Sequence, residues 1–349
     1  MAIERLEMEG PRENEALVRM VASGICHTDI DLWQSGHSCP VVLGHEAAGI
    51  IECVGKAVKG FRRDDPVVLS YQSCGHCRAC KAGRPPHCRR FWELNFGFAR
   101  LDGSNALEAN GVRGHFFGQS SFATYALATE RNMVKVSKGL PLQLLAPLGC
   151  GLQTGAGTVM NSLAVKSGSS LCVFGAGSVG LAAVMAARIV RANPIIAVDI
   201  RPNRLRLAKD LGATHTIDAR RSDPIRKIRA VTAGGVDHAV ETTGDAAIER
   251  AAISLLNPGG KLAHLTGGST DHDLPGGRRV LSVIQGDAVP QKFIPHLIRL
   301  WQSGRFPFDR LVTFYDFPQI NRAIEDSRRG VTVKPVLRME AGDVAALAA

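Results

Sequence analysis

The second half of the chain predicts an α/β fold with a parallel sheet covered by helices on both faces, on three observations. From about residue 170, short apolar runs alternate with helical patterns in the order strand, helix, strand, helix. A glycine-rich turn, Gly175-Ala176-Gly177-Ser178-Val179-Gly180, stands between the first of those strands and the first helix. An acid, Asp199, ends the next strand, nineteen residues after Gly180. Parallel neighbours cannot be joined by a tight hairpin, so each needs a crossover, and the intervening helices supply it.

Taken in order, Ser170–Phe174 is a short apolar strand and Ser178–Arg191 an Ala/Val/Leu/Met helix. Ile195–Asp199 is a strand, Arg204–Leu211 a polar helix and Thr214–Ile217 a strand. A helix near Ile225–Val231, a strand Val236–Glu241, a helix near Ala246–Leu256 and a strand Lys261–Leu265 follow, with Pro258-Gly259-Gly260 read as a sharp helix stop. Pro290–Gln302 is helix-like, Val333–Leu337 is a last strand, and Gly342–Ala349 reads as a frayed tail. The first half is different, with short strand candidates at Ala16–Val21, Ala47–Cys53 and Pro66–Leu69, and an aperiodic lobe from Phe91 to Gly118.

Position gives the glycine turn its meaning. A strand before it, a helix after it and an acid at the end of the next strand are the setting of a dinucleotide site. Gly175 permits the tight turn, Gly177 leaves room for a pyrophosphate beside Ser178 and Val179, and Gly180 lets helix and sheet approach. The unpaired N–H groups of the helix then face the phosphates. Asp199 is expected to accept hydrogen bonds from the adenosine ribose and to repel a 2′-phosphate, favouring NAD, while Arg201 and Arg204 temper that preference.

Cys74, Cys77, Cys80 and Cys88 crowd into fifteen residues of the first half. Four thiolates at this spacing close a tetrahedron around Zn²⁺ and leave no position for water, which is a structural site. A ferredoxin-type run would continue x3-C-P, whereas here Cys88 lies eight residues past Cys80 and precedes Arg89. With 349 residues and no secretory start, a disulfide framework is not needed. Cys26, His45 and Cys150 are far apart in sequence; they read either as buried packing groups with a satisfied loop histidine or as an open metal site.

The formal charge of +10 is dispersed, and aromatic residues make up only 5%, so no aromatic-interleaved basic stripe for nucleic acid is present. No run is apolar and long enough for a membrane span, and a cytoplasmic protein is expected.

Five segments then occur in a telling order: Gly24-Ile25-Cys26-His27-Thr28-Asp29, Gly44-His45-Glu46-Ala47-Ala48-Gly49, the four-cysteine lobe, Gly149-Cys150-Gly151-Leu152-Gln153-Thr154-Gly155, and the late glycine turn. Together they resemble the zinc-containing medium-chain alcohol dehydrogenase family over nearly the whole chain. His115-Phe116-Phe117-Gly118-Gln119-Ser120-Ser121-Phe122-Ala123-Thr124-Tyr125 resembles its aryl-alcohol (benzyl- or geraniol-type) branch.

The resemblance implies a GroES-like β-rich catalytic domain over residues 1–150, with the zinc lobe at about 74–88. It implies a Rossmann NAD-binding domain over 151–290 and a C-terminal segment, 291–349, returning to the catalytic domain. It further implies two Zn²⁺ per chain. Cys26, His45 and Cys150 hold the catalytic ion, and the four-cysteine lobe holds the structural one. Glu46 is the nearby acid, Asp29 the carboxylate that orients His45, Thr28 the first group of a proton relay, with a helix N-cap as its plain role, and His27 a contact to the cofactor phosphate. Cys39, Cys53 and Cys172 are left as packing thiols.

The expected reaction is NAD-linked, reversible oxidation of an aryl or allylic alcohol, with Trp33, Trp92, Phe96 and Phe98 lining an apolar pocket, in a homodimer or homotetramer. The rivals are a glutathione-dependent formaldehyde dehydrogenase and a non-catalytic nucleotide sensor or zinc-ribbon nucleic-acid binder. Three departures stand out. Asp31 replaces the histidine that ends the family's relay, family members usually carry about twenty more residues ahead of the segment resembling Ile3-Glu4-Arg5-Leu6, so that either the start is misassigned or one edge of the catalytic domain is altered, and Asp64 stands where glycine is common.

Overall fold

The computed structural model describes residues 1–107, 111–266 and 271–339. The expected tail 342–349 lies outside them. Along the chain come β1 (Glu15–Gly24), α1 (His27–Ser35), β2 (Glu46–Val54), β3 (Pro66–Leu69), α2 (Arg78–Lys81), α3 (Phe91–Phe96), β4 (Tyr125–Thr129), β5 (Met133–Lys135) and α4 (Leu142–Leu145). Next are α5 (Gly151–Gly157), β6 (Leu171–Phe174), α6 (Ser178–Ile189), β7 (Ile195–Asp199), α7 (Pro202–Leu211), β8 (His215–Asp218) and α8 (Pro224–Thr232). Then follow β9 (Val236–Glu241), α9 (Ala246–Ser254), β10 (Leu256–His264), β11 (His272–Leu274) and β12 (Arg278–Ser282). The last elements are α10 (Pro290–Gln302), β13 (Val312–Asp316), α11 (Ile320–Arg329) and β14 (Lys334–Arg338). Among the described residues no helix is long and apolar enough to cross a membrane.

The chain divides into two compact units. The first comprises Met1–Cys150, Val289–Ile298 and the chain from Asp309 onward; the second comprises Gly151–Ala288 and Arg299–Phe308. The segment 299–308 therefore belongs with the second unit, where Trp301 packs on Phe308, rather than with the returning C-terminal part.

The first unit is built on a sheet of order β13-β14-β1-β2-β3-β5, with β4 also on β1. Strand β1 is buried along almost its whole length, and β3 entirely, so both lie in the core. The lobe between Phe91 and Gly118 is not wholly irregular: α3 lies in it, and two isolated bridges, Met8 to Leu107 and Val41 to Arg113, tie it down. Asp64 adopts φ 65°, the left-handed region that glycine occupies without cost, which accounts for glycine being common there.

The second unit carries one sheet of order β11-β12-β10-β9-β6-β7-β8. Every pairing is parallel except β11 with β12. Its core is the apolar inner row of those strands, including Cys172, Ile196, Ala239 and Leu262. Pro258-Gly259-Gly260 is not a helix stop. The helix ends earlier, at Ser254, and the three residues lie inside β10, where the register to β9 shifts between Leu256 and Lys261. Proline and glycine there mark a bulge in the strand.

The glycine turn follows β6 and opens α6, with Gly177 as its N-cap. Gly175 has φ 91°, and a Cβ on it would stand 2.3 Å from the Thr242 hydroxyl. A Cβ on Gly180 would stand 1.8 Å from the Gly175 carbonyl oxygen, which is backbone and cannot rotate away. Gly180→Ala should therefore push α6 off the sheet and cost about 1–3 kcal/mol as an overpacking substitution. The check is the urea midpoint of the purified variant against wild type; an unchanged midpoint would show that α6 adjusts freely.

Candidate metal and cofactor sites

Among the described residues, two groups of side chains that could hold a metal ion form in the first unit. In one, the ligand atoms of Cys26, His45, Glu46 and Cys150 all lie within 4.8 Å of one another. In the other, the same holds for Cys74, Cys77, Cys80 and Cys88.

Local backbone chemistry sets the first group. Cys26 is the N-cap of α1, and its N–H donates to Asp29 Oδ2 at 3.0 Å, so Thr28 is not the cap but sits inside the first turn. Asp29 is fully buried, and its Oδ1 accepts from the Gly44 N–H at 3.0 Å and lies 2.9 Å from His45 Nδ1. That contact makes Nδ1 the protonated nitrogen and turns Nε2 toward the sulfurs. Nε2 is buried with no hydrogen-bond partner. Cys150 ends a tight turn over Ala146–Gly149, pinned where the Ser70 hydroxyl donates to the Gly149 carbonyl at 2.6 Å.

The charges are those of a site built for a cation. A hydrogen bond with Cys150, together with His45, holds the Cys26 thiol well below its ordinary pKa despite burial. Burial opposes a charged imidazole at His45, but Asp29 and the Cys26 thiolate outweigh it and its pKa stands well above the usual value. An orphaned buried imidazole nitrogen facing two thiols, one of them acidified, fits Zn²⁺, which prefers nitrogen and sulfur ligands in a tetrahedron.

Three functional neighbours escaped the sequence reading. Lys334, 1% exposed, donates to both Glu46 oxygens and to the Ile25 carbonyl, each at 3.0 Å. Burial raises the Glu46 pKa while Lys334 pulls it down; Glu46 in turn keeps Lys334 charged. Gln119 Nε2 donates to the carbonyls of His45 and Ser70, both at 3.0 Å. Phe117 stacks on the His45 ring at 4.5 Å between centroids and 26° between planes. A lysine inside the apolar strand Val333–Leu337 was a readable signal for the first; nothing local marks the other two.

The remaining expected residues fall as follows. Thr28 Oγ1 is 3.8 Å from Cys26 Sγ, while His27 and Asp31 are exposed on α1. Phe96 and Phe98 pack on Phe116, Phe96 also on Phe117, whereas Trp33 and Trp92 are 41% and 63% exposed. A cavity of about 450 Å³ in the same unit, lined by residues such as Glu15, Arg100 and Arg131, includes none of Cys26, His45, Glu46 or Cys150.

In the four-cysteine lobe, the Cys74 N–H donates to Cys88 Sγ at 3.2 Å and the Cys77 N–H to Cys74 Sγ at 3.4 Å. Backbone N–H groups of Cys80 and Arg89 hold the Cys77 thiol down to about 6, while burial pushes Cys88 up to about 12. Cys172 is fully buried in the second unit's core and Cys53 packs against Leu17, as packing thiols do.

In the second unit, Asp199 Oδ2 accepts from the Ala176 N–H at 2.6 Å and Oδ1 from the Arg201 N–H at 2.8 Å. The acid thus ties the end of β7 to the glycine turn. Arg204 is buried beside it, its pKa lowered by burial.

Known proteins agree with this geometry. The profile described as alcohol dehydrogenase GroES-like domain matches residues 12–138, and that described as zinc-binding dehydrogenase matches residues 178–285. The chain is 42% identical to a geraniol dehydrogenase of Castellaniella defragrans, over 97% of this chain and 94% of that one. The protein belongs to the zinc-containing medium-chain alcohol dehydrogenases. This dehydrogenase is also similar in structure to a benzyl alcohol dehydrogenase of Acinetobacter calcoaceticus, at 46% identity, TM-score 0.91 and coverage of 96% and 94%. A zinc-binding alcohol dehydrogenase domain protein of Burkholderia ambifaria gives 51% identity, TM-score 0.90 and coverage of 95% and 94%. The chain is an enzyme acting on alcohols and aldehydes with zinc, and the non-catalytic readings fall away.

Breaking one side of the buried Lys334–Glu46 pair leaves an uncompensated charge. Lys334→Met should destabilise the dehydrogenase by about 3–5 kcal/mol, and adding Glu46→Gln should recover part of the loss. Urea unfolding of the single and double variants checks this; equal stability of the two would deny the coupling.

Proposed function

We propose that this dehydrogenase carries out NAD-linked, reversible oxidation of a primary aromatic or allylic alcohol to its aldehyde. The observation that carries the reading is the Cys26–His45–Cys150 group, half-buried at Cys26 and buried at the other two, with its unpartnered Nε2. Cys26, His45 and Cys150 would hold a catalytic Zn²⁺, and Cys74, Cys77, Cys80 and Cys88 a structural one. When bound, the catalytic ion supplies a Lewis acid that lowers the pKa of an alcohol, and NAD supplies the hydride acceptor.

The chain's own residues do the rest. Asp29 fixes the tautomer and direction of His45. Thr28, beside Cys26, would take the alcohol proton as it hands its own hydroxyl proton on in the first step of a relay; Asp31, exposed on the same helix, would accept the relayed proton by way of the cofactor ribose and release it to water. Glu46 lends negative charge next to the ligands, and Lys334 keeps it in place. Phe96, Phe98, Phe116 and Phe117 make an aromatic wall running up to His45, which suits a flat, unsaturated substrate. The benzyl alcohol and geraniol dehydrogenases among its relatives support the same substrate class.

Gly175, Gly177, Ser178, Val179 and Gly180 receive the pyrophosphate, with His27 as a further basic contact. Asp199 accepts from the ribose and disfavours a 2′-phosphate, with Arg204 behind it. We further propose a homodimer or homotetramer in the cytoplasm, where a reducing pool keeps the nine cysteines as thiols.

A panel of benzyl, cinnamyl, allylic, short aliphatic and S-hydroxymethylglutathione substrates, followed by NADH absorbance, tests the substrate class. Turnover of S-hydroxymethylglutathione alone would overturn it in favour of the glutathione-dependent branch. Cys150→Ala should lose turnover and fall from two zinc ions per chain to one by elemental analysis; retained activity on one zinc would remove the metal assignment. Asp199→Ala should weaken NAD by roughly tenfold or more, the scale of losing one or two hydrogen bonds to a charged group, and NADP less. Equal losses for the two cofactors would refute the ribose role.

A further inference from the structure

A second buried acid–base cluster lies in the second unit, at the carboxyl ends of the parallel strands. Glu241 closes β9 and His264 closes β10, and the two are register partners. His264 Nδ1 stands 3.6 Å from Glu241 Oε2 and 3.7 Å from Glu249 Oε1 on α9, and its Nε2 is 3.2 Å from the Thr266 hydroxyl. Glu241 is fully buried and His264 6% exposed. The catalytic scheme above uses none of the three.

The cluster reaches the cofactor turn through short bonds. Glu241 accepts from the N–H and hydroxyl of Thr243, and the Gly244 N–H lies 3.2 Å from both its oxygens. These bonds lock the turn that follows β9. The preceding Thr242 donates its hydroxyl to the Phe174 carbonyl at 2.9 Å and lies 3.2 Å from that of Gly175, the first glycine of the dinucleotide turn. Nearby charges are also acids: Asp245 caps α9, and Asp271 accepts from the N–H of Ser282, the strand neighbour of His264.

We propose that Glu241, His264 and Glu249 form a proton-binding site that sets the affinity of the nucleotide turn for the dianionic cofactor. The inference rests on the NAD reading above. With His264 protonated, one of the two facing carboxylates is balanced. With it neutral, two unbalanced negative charges, one buried and one partly exposed, stand behind a turn that must receive a pyrophosphate. Affinity for the dianion is therefore higher with the imidazole protonated than with it neutral. His264 and Glu249 are positioning residues; neither is required to touch the cofactor.

Calorimetric titration of the zinc-loaded enzyme with NADH and with ADP-ribose, from about pH 6 to pH 9, tests this. In wild type the dissociation constant should rise by roughly three- to tenfold across that range, as expected for one partly screened charge. His264→Asn should bind weakly at the low end and lose that rise. Glu249→Gln, on a partly exposed helix position, should move the rise to lower pH because one anion no longer favours the imidazolium; it decides the matter if His264→Asn does not fold. The quantity read is each variant's difference from wild type. A rise of equal size and midpoint in wild type, His264→Asn and Glu249→Gln, or a flat wild-type profile with cofactor still bound, overturns the inference and leaves the NAD reading standing. No binding of NADH or ADP-ribose at any pH overturns both.

Discussion

Burying charge at this site is possible only because each charge has a partner. Asp29, His45, Glu46 and Lys334 are all essentially closed to solvent, where a lone ion would cost several kcal/mol. Asp29 is met by two backbone N–H groups and an imidazole, and Glu46 by both arms of a lysine contact. What remains unmatched is one imidazole nitrogen facing the sulfurs, and a divalent ion would complete that balance. The sheet, the α1 cap and the Ala146–Gly149 turn serve to bring these partners to one point.

The aromatic wall is bought with backbone strain. His115, Phe117 and Ser120 take φ of 63°, 52° and 51°, left-handed values that disfavour such side chains. Bonds of the turn hold it: the Phe116 N–H donates to the Ser120 hydroxyl at 2.9 Å, and that hydroxyl donates to the Val42 carbonyl at 2.6 Å. The reward is a Phe117 ring laid flat on His45. His45 is thereby fixed on one side by a carboxylate and on another by a ring, which leaves it little freedom to swing.

The same device recurs in the second unit in different chemistry. Asp199 and Glu241 each end a parallel strand; Asp199 accepts from backbone N–H groups of the glycine turn after β6 and of its own following turn, and Glu241 from those of the turn after β9. A carboxylate at the carboxyl end of a strand thus acts as a clasp for the loops at that end of the sheet.

Much of this was determined by sequence alone, because it depends on local spacing. The strand–helix alternation, the glycine turn with Asp199, and the four-cysteine lobe each lie within a short stretch, where chain geometry permits few arrangements. The ordered segments around Cys26, His45 and Cys150 carried the family, although spacing by itself left those three residues undecided. Only the tertiary structure decided what distant segments do to one another. Lys334 meets Glu46 across 288 residues, Gln119 meets the His45 carbonyl across 74, and Phe117 reaches His45 only through a strained turn. The placing of 299–308 and the bulge at Pro258–Gly260 were likewise settled by packing and strand register, which local propensity does not encode.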